Sequence, residues 1–261
     1  MILVFDVGNT ETTIGLFDGA RLEAHWRTNT DASRTPDECA MMLDGLLRFR
    51  DVKRAAITGS AIGSVVPAVT GPLADACRAL FGSPPRIVDA SSGLPIVLDV
   101  EEPATVGADR LINTLAASRL YKTDTIVVDL GTATTYDCIT AEGVFLGGII
   151  APGLRTSADT LIRRTSKLPA TELVPPKRAL GRRTEECIRA GVMLGTAEMI
   201  DGLVRRLKKE WPGGRVPKVV ATGGLAEVIA PLSEQIELVE PFLTLYGLQI
   251  AYALLEGAKR A

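Results

Sequence analysis

A single histidine, His25, in a chain of 261 residues excludes a histidine metal cluster and argues against a Ser-His-Asp triad. Set beside Trp26 on an expected strand, it reads as structural. The four cysteines, Cys39, Cys77, Cys138 and Cys187, lie far apart. Without a CxxC pair there is no zinc or redox-dithiol signature, and they read as reduced thiols. A Gly-x4-Gly-Lys-Ser/Thr loop is missing, as is a GxGxxG fingerprint after a strand, which argues against P-loop and Rossmann chemistry. Excess charge of one sign is missing too: 29 Lys and Arg against 31 Asp and Glu give a net charge of −2. Such a chain has no field with which to hold a nucleic acid. The uncharged stretch from Ala55 to Ala74 approaches a membrane span in length, but Gly59, Gly63, Pro67, Gly71 and Pro72 interrupt it. The chain opens on Met1-Ile2-Leu3-Val4-Phe5 and meets Asp6 at once, without the basic and apolar regions of a signal peptide. No membrane association and a cytoplasmic location are therefore expected.

What the chain does have is a hydrophobic fraction of 46%, enough for one large core or two medium ones along a cleft. β-Branched apolar runs bounded by Gly or Asp predict strands at Ile2–Phe5, Thr12–Phe17, Ala55–Thr58, Thr125–Asp129, Thr134–Ile139, Val144–Ile150 and Val216–Thr222. Helical periodicity is expected at Pro36–Phe49, Pro67–Phe81, Asp109–Tyr121, Leu154–Arg164, Thr184–Leu207, Ala226–Leu232 and Leu243–Ala258. Pro169 to Arg183, with Pro175, Pro176 and Gly181, reads as a loop. The class is α/β.

An approximate internal repeat organises these elements. Asp6-Val7-Gly8-Asn9-Thr10-Glu11-Thr12 is echoed by Asp129-Leu130-Gly131-Thr132-Ala133-Thr134-Thr135, each copy joining two strands. Thr58-Gly59-Ser60 is echoed by Thr222-Gly223-Gly224, each expected after a strand and before a helix. The order predicts a duplicated α/β domain with its boundary near Arg110 to Lys122: an N-terminal lobe over 1–115 and a C-terminal lobe over 116–261. Asp-x-Gly turns can be ordinary hairpin chemistry. Two copies in series offer more, because Gly admits a ligand close to backbone N–H groups and Asn9 and the threonines add short neutral donors. A carboxylate at each strand end, Asp6 or Asp129, could hold a cation beside phosphates.

Two phosphate turns in duplicated halves resemble the ATPase fold shared by actin, sugar kinases and heat-shock chaperones, that is, duplicated ribonuclease H-like domains with a central cleft. The ordered set DVGNT (6–10), GADR (107–110), DLGTATT (129–135), GGIIAPG (147–153) and TGG (222–224) resembles the type III pantothenate kinases, also called the Bvg accessory factor family. Trp26-Arg27, Asp37-Glu38, Ser64 to Pro67, Gly181 to Thr184 and Leu243 to Leu248 extend the likeness along nearly the whole chain.

The resemblance implies transfer of the γ-phosphoryl of ATP to the primary hydroxyl of pantothenate, the first step towards coenzyme A. It assigns ATP and Mg²⁺ to Asp6, Val7, Gly8, Asn9, Thr10, Glu11, Thr12 and Thr13 with Thr132, Asp6 being the Mg²⁺-side carboxylate. It makes Asp109 the proton acceptor and gives pantothenate contacts to Gly107, Ala108, Asp109, Arg110 and Thr184. Asp129 corresponds to the ligand of a monovalent cation, K⁺ or NH4⁺. It also implies a homodimer packed through the C-terminal half, and Gly191 and Gly195, one turn apart on an apolar helix, would permit close helix approach. One position departs from the pattern: where the family commonly places an aromatic residue against pantothenate, this chain has Val100. Two other readings stay open, a kinase for a different small alcohol and a regulatory nucleotide-binding paralogue. Taken by itself, Gly-Ala-Asp-Arg also reads as a helix start with Asp109 as the N-cap.

Overall fold

The computed structural model describes residues 1–257 and divides into two compact units. One comprises Met1–Arg119 and the chain from Leu243; the other comprises Leu120–Phe242. The return of the last segment to the first unit differs from a simple division at 115/116.

In the first unit, β1 (Ile2–Val7), β2 (Glu11–Asp18) and β3 (Arg21–Asn29) form an antiparallel meander, and β4 (Gly59–Ser64) and β5 (Arg86–Val88) add parallel strands on the other side of β1. The order is β3-β2-β1-β4-β5. Alternation along β1 sends Leu3, Phe5 and Val7 into a cluster with Leu43 and Leu47 of α1 (Pro36–Phe49) and Val69, Leu73 and Cys77 of α2 (Pro67–Phe81). β6 (Val97–Leu98) and α3 (Ala108–Leu120) follow. In the second unit come β7 (Thr125–Leu130), β8 (Ala133–Ile139), β9 (Val144–Pro152), α4 (Leu154–Arg163), α5 (Thr184–Glu210), β10 (Lys218–Thr222), α6 (Ala226–Ile229) and β11 (Leu238–Val239). Its strands run in the order β11-β10-β7-β8-β9, the same arrangement as in the first unit. α7 (Leu243–Gly257) belongs to the first unit and covers β1 and β4; Ala258, the last residue of the expected helix, lies outside the described residues.

The starts of α1 and α2 follow directly from the sequence. Thr35 accepts from the Glu38 N–H while Glu38 reaches back to the Thr35 N–H, a capping box, and Pro36 stands at the first helical position. α2 begins with Pro67 and ends at Gly82, whose φ of 75° is left-handed and whose N–H bonds Arg78 O.

Two expectations need correcting. Ala55–Thr58 is not a strand: Arg54–Ala56 is a 3-10 turn, and the strand is Gly59–Ser64. Glycine and serine make a poor strand by propensity, yet helices approach too closely here for larger residues. A Cβ on Gly59 would run into Tyr252 of α7, and one on Gly63 into Ile112 of α3. Nor is Thr58-Gly59-Ser60 the counterpart of Thr222-Gly223-Gly224. The first starts β4, whereas the second ends β10. Register gives the true equivalence, because Asp6 faces Gly63 in parallel pairing and Asp129 faces Thr222.

Candidate active site

Each unit gathers its chemistry at the carboxyl ends of its two central parallel strands, where open α/β sheets bind ligands. In the first unit, Asp6 lies half-buried near the end of β1 and faces Thr13 across the hairpin. The intervening turn is closed by Gly8 N–H donating to Glu11 O at 3.0 Å. A Cβ on Gly8 would sit 3.1 Å from that same oxygen, so the turn is tight even though the glycine needs no positive φ. Asn9, Thr10 and Glu11 are exposed; Val7 and Thr12 are buried. Val7 therefore has only backbone to offer a ligand.

The Gly107-Ala108-Asp109-Arg110 segment is brought to this same edge. Val65 N–H extends the β1/β4 ladder by donating to Val7 O at 3.1 Å. A Cβ on Gly107 would stand 3.6 Å from Val65 Cγ1 and 2.5 Å from Asp109 Oδ1. Glycine at 107 thus leaves room for the Asp109 carboxylate beside the end of β4. Asp109 is the second residue of α3 and not its N-cap, since Arg110 and Leu111 both donate to Gly107 O. Its carboxylate accepts the Arg110 N–H at 2.9 Å and sits where the helix dipole favours an anion. Asp109 and Arg110 are half-buried. α3 is anchored from behind: Thr244 Oγ1 of α7 donates to the buried Asn113 Oδ1 at 3.0 Å. Val100 lies half-buried on the bend after β6.

In the second unit, Asp129, Gly131, Thr132, Gly153 and Gly223 crowd together. Gly223 has φ +89°, and a Cβ there would lie 2.6 Å from Asp129 Oδ1 and 2.9 Å from the Leu130 backbone. The end of β10 thus touches the end of β7 through a glycine. Gly153, the N-cap of α4, would carry a Cβ only 2.5 Å from Gly131 O. Its N–H donates to Thr132 O at 3.2 Å, and Thr156 Oγ1 donates to the same oxygen at 2.7 Å. By register this hairpin is one residue shorter than the first: Asp129 faces Thr135, whereas Asp6 faces Thr13. Thr184 opens α5 and is exposed. Nearby, the Glu186 carboxyl is held below its ordinary range, chiefly by the Arg182 N–H and also by the Arg178 guanidinium.

Among the described residues no three His, Cys, Asp or Glu side chains group as a metal cage. Single carboxylates at strand ends are nonetheless a suitable donor set for Mg²⁺, which takes one or two carboxylates and completes its shell with phosphate oxygens and water. The threonines that fasten the two turns, Thr30 and Thr156, carried no sequence signal, because their role depends on hairpin register.

Two units with the same order of five strands, each with a phosphate-type hairpin at the carboxyl end of its sheet, β-β-β-α-β-α-β in the first and with a second helix, α5, before β10 in the other, define a protein of the actin-like ATPase fold. A solved structure of a conserved putative Baf family transcriptional activator from Campylobacter jejuni shares it, with a TM-score of 0.60 at 18% identity over 98% of this chain and 100% of that one. The sequence profile of the type III pantothenate kinases matches residues 2–206. Type III pantothenate kinase of Roseiflexus castenholzii is 45% identical over 97% of this chain and 99% of its own length; that of Geobacter sulfurreducens is 42% identical over 97% and 98%. The chain belongs to the type III pantothenate kinase family.

Proposed function

We propose that the protein phosphorylates pantothenate with ATP, giving 4'-phosphopantothenate for coenzyme A synthesis. The observation that carries this reading is the Asp109 carboxylate at the same sheet edge as the Asp6–Thr13 turn. The turn binds the phosphates through its backbone N–H groups and through Asn9, Thr10 and Thr13, and Thr132 is the candidate nucleotide contact of the second turn. A divalent metal neutralises phosphate charge when bound; Asp6 would hold Mg²⁺ and Asp129 the monovalent cation. Arg110, with five fixed donors, suits the pantothenate carboxylate, Gly107 and Ala108 are the acceptor contacts beside it, and Thr184 is the candidate acceptor contact carried by the second unit.

The acceptor's hydroxyl oxygen bonds the γ-phosphorus as the β–γ bridge breaks and ADP leaves. Asp109 takes the hydroxyl proton late in a loose transition state, for which a carboxylate is basic enough. The active species is a cytoplasmic homodimer. Among the described residues no helix is long and apolar enough to cross a membrane.

The test is ADP release from Mg·ATP with pantothenate in potassium buffer, repeated in sodium. Potassium-dependent turnover supports the acceptor and the cation together. Nucleotide binding without turnover on pantothenate would overturn the acceptor and move the reading to another alcohol, with Val100 as the altered wall.

A further inference from the structure

We infer that Thr30 is a positioning residue that sets the nucleotide turn, acting through a hydroxyl relay in which Thr12 works from beneath the turn instead of touching phosphate. The inference rests on the proposed nucleotide role of the turn.

Thr30 follows β3 and makes three bonds to the hairpin opposite. Its N–H donates to Thr10 O at 2.9 Å. Its hydroxyl donates to Gly8 O at 2.7 Å and lies 2.9 Å from Thr12 Oγ1. A threonine hydroxyl has one proton. With that proton on Gly8 O, the Thr12 hydroxyl must be the donor to Thr30, giving a directed chain Thr12 O–H to Thr30 O–H to Gly8 C=O. Thr12 is only 5% exposed, in keeping with a supporting role.

Among the described residues no peptide is cis, and in a trans peptide the C=O and the following N–H point in opposite directions. Fixing Gly8 O towards Thr30 therefore fixes the Asn9 N–H towards the other side, in a turn whose Asn9 and Thr10 are exposed. The relay thus aims a backbone donor before ligand arrives, which removes an ordering cost from binding.

The second unit repeats the device with different residues. Immediately after β9, Gly153 N–H and Thr156 Oγ1 both donate to Thr132 O. In each half, the segment leaving the third strand of the meander holds a carbonyl of the first hairpin.

Thr30→Val keeps the shape and the Thr30 N–H bond while deleting the hydroxyl, and Thr30→Ser restores it. Calorimetric titration with Mg·ATP, with kinetics alongside, should show about a tenfold weaker Kd and raised KM for ATP in Thr30→Val. The KM for pantothenate should stay unchanged and Thr30→Ser should lie close to wild type. Unaltered Mg·ATP affinity in Thr30→Val, or equal loss in the serine variant, would overturn the inference. If Thr30→Val does not fold, Thr12→Val carries the test: it spares the Thr30 to Gly8 bond, so a few-fold weakening is expected, and an unchanged Kd overturns the relay. Wild-type protein that binds no Mg·ATP would overturn the nucleotide reading itself, and the positioning role with it.

Discussion

Replacing Gly223 by alanine tests whether contact between the ends of β10 and β7 sets the geometry around Asp129. Two costs add. The backbone stands at φ +89°, where an L residue is strained by about 1–2 kcal/mol. The new methyl would also fall within 3 Å of Asp129 Oδ1 and the Leu130 backbone, and forcing a group into a filled site costs about 1–3 kcal/mol. The sum, about 2–5 kcal/mol, is a large share of a typical domain's stability. Gly213→Ala separates the two costs, because Gly213 has φ +72° with nothing within 4 Å of its notional Cβ; it should lose only the backbone part, about 1–2 kcal/mol. Urea unfolding of both variants gives the difference, and phosphoryl transfer in the folded fraction should fall at least tenfold for Gly223→Ala alone, since displacing a site group by a few tenths of an ångström is costly. Equal stability and equal activity in the two variants would show that a methyl at 223 finds room and that the geometry around Asp129 does not depend on this contact.

Asp109→Asn should lower kcat by about 10²–10⁴ with Mg·ATP affinity unmoved and stability lowered by no more than about 1 kcal/mol, the share of the helix-dipole contact, measured by steady-state kinetics and calorimetry; full activity would remove Asp109 from the proton transfer. Asp201→Ala should destabilise the protein by about 2–4 kcal/mol, read by denaturant titration, because this buried carboxylate accepts from Ser233 Oγ and from the Glu234 and Gln235 N–H groups. Burial pushes the Cys77 thiol up to about 12 from 9.0, with the Ser60 hydroxyl opposing. The folded state therefore keeps the thiol neutral while the unfolded chain ionises it above pH 9, so stability is intact below pH 9 and falls as pH rises towards 12. Thermal melts from pH 8 to 11 should show this fall, and Cys77→Ala should flatten it.

The helices were the most legible part of the sequence. α1 and α2 match their expected spans to the residue, because Thr35, Pro36, Pro67 and Gly82 fix ends through local chemistry. β4 was misplaced because its sequence answers to tertiary demand: Gly59 and Gly63 are small to admit Tyr252 and Ile112, a pressure that strand propensity does not contain. The two-residue strands β6 and β11 are too short to show a period. At the candidate site the Asp-x-Gly turns and the Gly-Ala-Asp-Arg segment stand out as motifs. Thr30 and Thr156 do not, since a threonine beyond a strand acquires meaning only when pairing sets which carbonyl it meets.

The last helix has a consequence for how the protein is made. α7 covers β1 and β4, strands that leave the ribosome first, and packs Leu245 against Gly15. The apolar face beneath it stays unsealed while the whole second unit is synthesised, roughly ten seconds at common elongation rates. The second unit has five strands and an apolar cluster of its own and can close earlier. The part that begins the chain is thus finished last, and a message truncated before Leu243 would yield an open first unit, a natural target for chaperones and proteases.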